Sequence, residues 1–158
     1  MSDARFEDGG EAPLNLRAET PDDLPVIAAL IQDAVLGVAD IDWSPRRRQL
    51  SFLINRFRWE DRAAAEREKR PYERVRALLV LSDVTHVASS GFDRSDRDLV
   101  LSLLDIGWIA GPDGTGRLLL TLSGDGEIRA EAECLSVDLR DVSRPYRAVS
   151  GAAPHHPE

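Results

Sequence analysis

Five arginines carry the least ordinary chemistry of the chain: Arg46, Arg47 and Arg48 in a row, then Arg56 and Arg58 two positions apart in the run that follows. Guanidinium groups pair with phosphate and carboxylate oxygens, and Trp59 and Tyr72 lie nearby in sequence. Cations beside aromatic faces are the mixture used by sites for single-stranded nucleic acid. Residues 46–76 hold ten Arg and one Lys against five acids, whereas 1–45 hold ten acids against two Arg and 77–142 twelve acids against five Arg. A basic band thus sits inside a chain of net charge −8. Its own acids can absorb it, or it can meet an anionic partner, acidic protein surface or RNA.

Other constellations fall to plainer readings. His155 and His156 stand among prolines near the C-terminus, which leaves His86 alone as a histidine of the central chain, and one histidine is no metal site. Asp93, Asp96 and Asp98 resemble a calcium loop, but the central Gly and closing Glu are missing and Arg94 and Arg97 interleave. The stretch from Gly111 to Gly116 lacks the Lys-Ser/Thr end of a phosphate loop and leads into a strand, so it reads as a hairpin turn. Cys134 alternates with apolar residues and reads as a buried small hydrophobe rather than a nucleophile. Glu131 and Glu133 fall on an outward strand face, where solvation is their expected role. No catalytic, cofactor-binding or metal-ligating residue is assigned, and no cofactor is expected.

The elements that position these residues follow from length and period. A chain of 158 residues is one domain by length, and 42% hydrophobic with 30% charged residues is ordinary globular composition. No apolar run reaches the roughly 18 residues of a membrane helix, and the acidic N-terminus lacks the basic-then-apolar order of a secretory signal. With one cysteine and no disulfide to make, the expected location is a reducing cytoplasm. Residues 1–12 and 143–158 read as disordered tails around a single domain over 13–142.

One helix has strong start signals: Thr20 placed to cap, Pro21 at the first position, then Asp22 and Asp23 at the positive end of the dipole. Leu24, Ile27, Ala28 and Ile31 form its apolar stripe, and it should end near Asp33. Strand patterns follow over 34–43, 50–59, 74–82, 84–90, 99–109, 117–122 and 128–135. A Ser44-Pro45-Arg46 turn joins the first two, and Gly124-Asp125-Gly126 marks a tight hairpin. Residues 60–73 fit either a short helix or a solvated loop.

The chain also matches itself. A shift of 49 residues places Val38-Ala39 on Val87-Ala88, Trp43 on Phe92, Arg48 on Arg97, Leu50 on Leu99 and Trp59 on Trp108; a shift of 53 places Val75-Arg76-Ala77 on Ile128-Arg129-Ala130. Period-two strands explain the aliphatic matches but not aromatic on aromatic in one register. The pattern predicts two duplicated β-meander units, about 35–84 and 85–137. The expected fold class is α+β, strand-rich and antiparallel: a barrel or a two-sheet sandwich with one N-terminal helix packed on it.

The segments ETPDDLPVIAALIQDAV, RRRQLSFLINRFRWED, RVRALLVLSDV, GFDRSDRD and EIRAEAECLSVDLRDV together resemble a bacterial family known as domain of unknown function 2948, over about residues 14–142. The resemblance implies a stand-alone cytoplasmic bacterial protein and carries no site residues. Taken with the residues themselves, it fits a non-enzymatic binding or interaction module, with a protein partner or RNA in view. The alternatives are an RNA-associated or anionic-partner-binding protein using Arg46, Arg47, Arg48, Arg56 and Arg58, or an enzyme built on His86.

Overall fold

The structure is a computed structural model and describes residues 12–149 and 153–154. The predicted N-terminal tail, apart from its last residue, lies outside them, as do His155 and His156. The strands are β1 (Asn15–Ala18), β2 (Ala34–Gly37), β3 (Ile41–Ser44), β4 (Gln49–Phe57), β5 (Glu73–Leu81), β6 (Val84–Ser90), β7 (Val100–Ala110), β8 (Gly116–Leu122), β9 (Glu127–Ala132), β10 (Val137–Asp141) and β11 (Tyr146–Arg147). Helix α1 spans Leu24–Ile31 and α2 spans Arg62–Glu68.

All eleven strands belong to one antiparallel sheet, in the order β1-β10-β5-β4-β2-β7-β8-β9-β6, with β3 added to β4 and β11 to β5. The α+β class stands. The barrel does not: no pairing joins the terminal strands β1 and β6, so the sheet stays open. Nor are there two separate sheets, because β2 bridges the halves, pairing β4 at Val35↔Asn55 and β7 from Ala34 to Gly37.

The bridge depends on a jog that the sequence pattern does not reveal. The expected strand 34–43 is interrupted at Val38–Asp40 by a 3-10 turn, in which the Asp40 carboxylate accepts the Gly37 N–H at 3.3 Å. The Val38 N–H bonds the Leu99 carbonyl at 2.9 Å. Before the turn the chain lies between β4 and β7; after it, β3 pairs with β4 alone.

Period-two burial builds the core. Leu50, Phe52 and Ile54 of β4, Ala77, Leu79 and Leu81 of β5, Leu118 and Leu120 of β8, and Ile128 and Ala130 of β9 are all buried on one sheet face. Each large apolar side chain so buried contributes about 1.5–3 kcal/mol. Helix α1 covers that face through Leu24, Ile27 and Ile31 and packs on β7 and β4. It begins three residues later than its predicted start. The Asp23 carboxylate accepts from the Thr20 hydroxyl at 2.9 Å and from the Thr20 amide at 3.3 Å, which holds 20–23 as a turn. Pro25, which has no N–H to leave unpaired, then opens the helix.

Three further differences have local causes. Residues 60–73 contain α2, stopped by Lys69 in a left-handed conformation (φ 54°) whose N–H reaches the Ala65 and Glu66 carbonyls. The segment expected to be a tail from 143 onward runs first as β11 on the β5 edge, with Tyr146 opposite Arg74 and the Ala148 N–H on the Tyr72 carbonyl at 2.8 Å. Strand β9 ends at Ala132, so the alternation that placed Cys134 inside is broken and its thiol is exposed. Among the described residues, no helix is long and apolar enough to cross a membrane.

Candidate functional site

The open sheet leaves a seam. Strand β3 pairs only with β4, and β6 pairs only with β9, so each has one backbone edge without a strand partner. The seam is pinned at one end, where the Val84 N–H bonds the Arg48 carbonyl at 2.9 Å and Arg48 pairs with Glu133. The bond from Val38 to the Leu99 carbonyl pins the other end. Between the pins lies a cavity of about 200 Å³.

Its floor and walls are apolar: Leu50 and Ile128 from the core, Trp43 from β3, Val87 from β6 and Phe92 from the loop 91–99. Trp43 and Phe92, aligned by the 49-residue shift, line the same cavity. Among the described residues, the indole N–H of Trp43 and the hydroxyl of Ser89, another lining residue, have no hydrogen-bond partner. Gly91 starts the loop at φ +82°, and a Cβ there would collide with the Asp125 carbonyl, so the chain can turn this closely only at glycine.

The charged lining residues are Arg94 and Arg97; no acid lines the cavity. Both are exposed, and among the described residues neither has a carboxylate partner. Two acids of the same loop, Asp93 and Asp96, bond the loop's own backbone. Asp93 accepts the Ser95 N–H at 2.9 Å and its hydroxyl at 2.6 Å, which holds its carboxyl below the usual range. Asp96 accepts the Asp98 N–H at 3.2 Å.

The five arginines singled out in the sequence separate into two groups. Arg46, Arg47 and Arg48 occupy the exposed turn between β3 and β4, at the Arg48–Val84 end of the seam, and among the described residues Arg46 and Arg47 have no acidic partner. Arg56 and Arg58 are buried. Arg56 donates to Glu60 at 2.9 and 2.8 Å and to Asp141 at 3.1 Å twice, and Arg58 lies against Glu73 and Asp61. Strand phase explains Arg56, which continues the inward series of Leu50, Phe52 and Ile54, while Arg58 stands just past the strand at the start of the 3-10 turn. The aromatic platform is likewise engaged. The Trp59 indole donates to the Gln32 carbonyl at 2.9 Å and its ring packs edge-on against Phe57, while the Tyr72 hydroxyl donates to Glu66. These buried and engaged groups offer no phosphate-binding face.

His86 is exposed on β6 and lines neither cavity. A second, shallower hollow of about 490 Å³ lies beside the β7–β8 turn, but of its charges Arg117 and Glu131 bond each other at 2.7 Å and Glu133 pairs with Arg48. Among the described residues no three His, Cys, Asp or Glu side chains cluster to hold a metal. In the sequence Arg94 and Arg97 figure only as interruptions of an incomplete calcium loop. The 49-residue shift that sets Arg97 on Arg48 and Phe92 on Trp43 was the available signal.

No curated protein and no solved structure matches the chain. One family model does, over residues 14–156, which takes in both edges of the seam, the loop 91–99 and β11. The chain belongs to the family described as protein of unknown function, DUF2948.

Proposed function

We propose that the domain is a non-catalytic binding module and that the seam between β3 and β6 is its recognition site. The observation that carries this reading is the pairing of an apolar cavity with two arginines that have no acid of their own. Arg17, Arg117 and Arg129 elsewhere on this acidic chain are each paired with a carboxylate. Arg94 and Arg97 are held beside an aromatic lining by a loop in which Asp93 and Asp96 accept backbone N–H groups. Such a site takes a group with an apolar body next to negative charge. The unpaired Arg46 and Arg47 at the other end of the seam extend the same preference.

The test uses 4-phenylbutyrate, an apolar ring with one carboxylate, titrated into isotope-labelled protein. The expected result is a saturable shift of the Trp43 indole N–H and of the Ser89 and Phe92 amides, weakened in Arg94→Glu/Arg97→Glu. Shifts confined to other surfaces, or identical shifts in the variant, would remove the seam as the site.

We also propose that the two halves arose by duplication, which would explain why matched residues meet at the seam. Supporting this is the order of the sheet: β10-β5-β4 on one side of β2 and β7-β8-β9-β6 on the other. The matched strands β4 and β7 are the two neighbours of β2.

A further inference from the structure

We infer that the seam's occupant is an extended acidic polypeptide segment, added as a strand between β3 and β6; this rests on the seam being the binding site. Four observations converge on it. Both bordering strands present an unpaired backbone edge, and such an edge is a template for another strand. Strand β6 reads VTHVASS, with no Pro, Lys or Arg to repel one, and its single irregularity lies between Val84 and His86 at the pinned end.

Size is the second observation. A cavity of about 200 Å³ falls below the roughly 300–1,000 Å³ that encloses a small-molecule ligand. It suits one large apolar side chain whose backbone runs along the edges. The third is charge: Arg94 and Arg97 stand at one end of the seam, Arg46 and Arg47 at the other, all without acidic partners. A segment with acids at both ends and an apolar residue between them matches that arrangement. The fourth is the pair of unused polar groups on the lining, the Trp43 N–H and the Ser89 hydroxyl, which can bond to backbone or side-chain oxygens of such a segment.

The experiment compares three probes on the full chain by calorimetry and by amide hydrogen exchange. They are the peptide acetyl-Asp-Glu-Val-Phe-Val-Glu-Asp-amide, the same peptide with both valine nitrogens methylated, and 4-phenylbutyrate. The peptide should bind more tightly than phenylbutyrate and slow exchange at amides of 41–44 and 85–90. Methylation removes backbone donors while keeping every side chain, and should weaken binding about tenfold. Arg94→Glu/Arg97→Glu, at exposed positions and with the urea midpoint of the variant measured beside it, should weaken the parent peptide about fivefold. Equal binding of the methylated peptide, or no slowing at the two edges, overturns strand addition while leaving the anion-binding cavity in place. Failure of both the peptides and phenylbutyrate overturns the cavity reading as well. Displacement of bound peptide by a short oligouridylate at equal concentration would make the partner RNA and reject the polypeptide.

Discussion

Arg56 of β4 reaches across β5 to Asp141 of β10 in a two-pronged bond, Nε to Oδ1 and Nη2 to Oδ2, both 3.1 Å. The other flank of the guanidinium is closed by Glu60 at 2.8 and 2.9 Å, and Asp141 also accepts the Leu14 N–H at 2.9 Å. One buried cation therefore ties β4 to β10, to the 3-10 turn Trp59–Asp61 that precedes α2 and, through Asp141, to the residue before β1. Burial opposes its charge, but the two carboxylates outweigh burial and keep the group firmly protonated. The network's worth lies in its completeness, because no buried side-chain polar atom is left without a partner among the described residues.

Removing Arg56 leaves the buried Asp141 carboxylate without its cation. Arg56→Ala should lower stability by about 3–5 kcal/mol, read as a lower urea midpoint at an unchanged slope. The double variant Arg56→Met/Asp141→Leu should lose much less than the sum of its single changes. A wild-type midpoint for Arg56→Ala would mean that apolar packing alone holds these strands.

Acid should attack the same region. Burial would raise the carboxyl of Glu60, but the Arg56 hydrogen bonds and charge leave it lowered overall; bonding from Arg70 lowers Asp61. A depressed carboxyl contributes stability that is complete above its unfolded value, about 4, and is lost as pH falls through the folded value. The urea midpoint should therefore hold from pH 7 down to about 5 and decline below about 4. Asp61→Asn should be less stable at pH 7 and decline less steeply. A midpoint indifferent to pH between 7 and 3 would remove these pairs from the stability of the fold.

Cys134 tests a smaller interaction. Its thiol is exposed and lies 3.2 Å from the Asp83 carboxylate. That hydrogen bond favours the neutral thiol, with the carboxylate charge acting in the same direction, and the thiol pKa is raised. Since the thiolate is the nucleophile, iodoacetamide should label Cys134 more slowly at pH 7.5 than it labels glutathione. Asp83→Asn should speed the labelling. Equal rates in both proteins would show that the bond does not form in solution.

Much of this fold was legible in the sequence, because period-two burial is strong in β4, β5, β8 and β9. The apolar stripe of α1 was legible for the same kind of reason. The phase that identified Leu50, Phe52 and Ile54 as inward also placed Arg56 inward, and a count along the strand could have withdrawn it from the partner-binding band. Cys134 failed the other way: its phase was sound, but β9 stops at Ala132, and where a strand stops is set by pairing with β6 and β8. Closure was not legible at all. Whether β6 meets β3 depends on sheet curvature and on the jog at Val38–Asp40, neither of which has a period. The seam, and with it the roles of Arg94 and Arg97, became visible only in three dimensions.

An open seam has a consequence in the free protein. In an antiparallel strand paired on one side, alternate amides face the partner and the rest face outward. Along β6 those bonded to β9 should be protected, whereas those facing the seam should exchange at the rate of local fraying, near zero free energy. The Val84 amide, held by the Arg48 carbonyl, should be protected in spite of its place at the strand's start. Amides of β4 and β5, paired on both sides, should exchange only through global unfolding. Residue-resolved hydrogen exchange on the free protein reads all three classes at once. Uniform protection along β6 would mean that its edge is already covered in solution, by a second copy or by residues 1–11 of the same chain, and the seam would then be a closed interface.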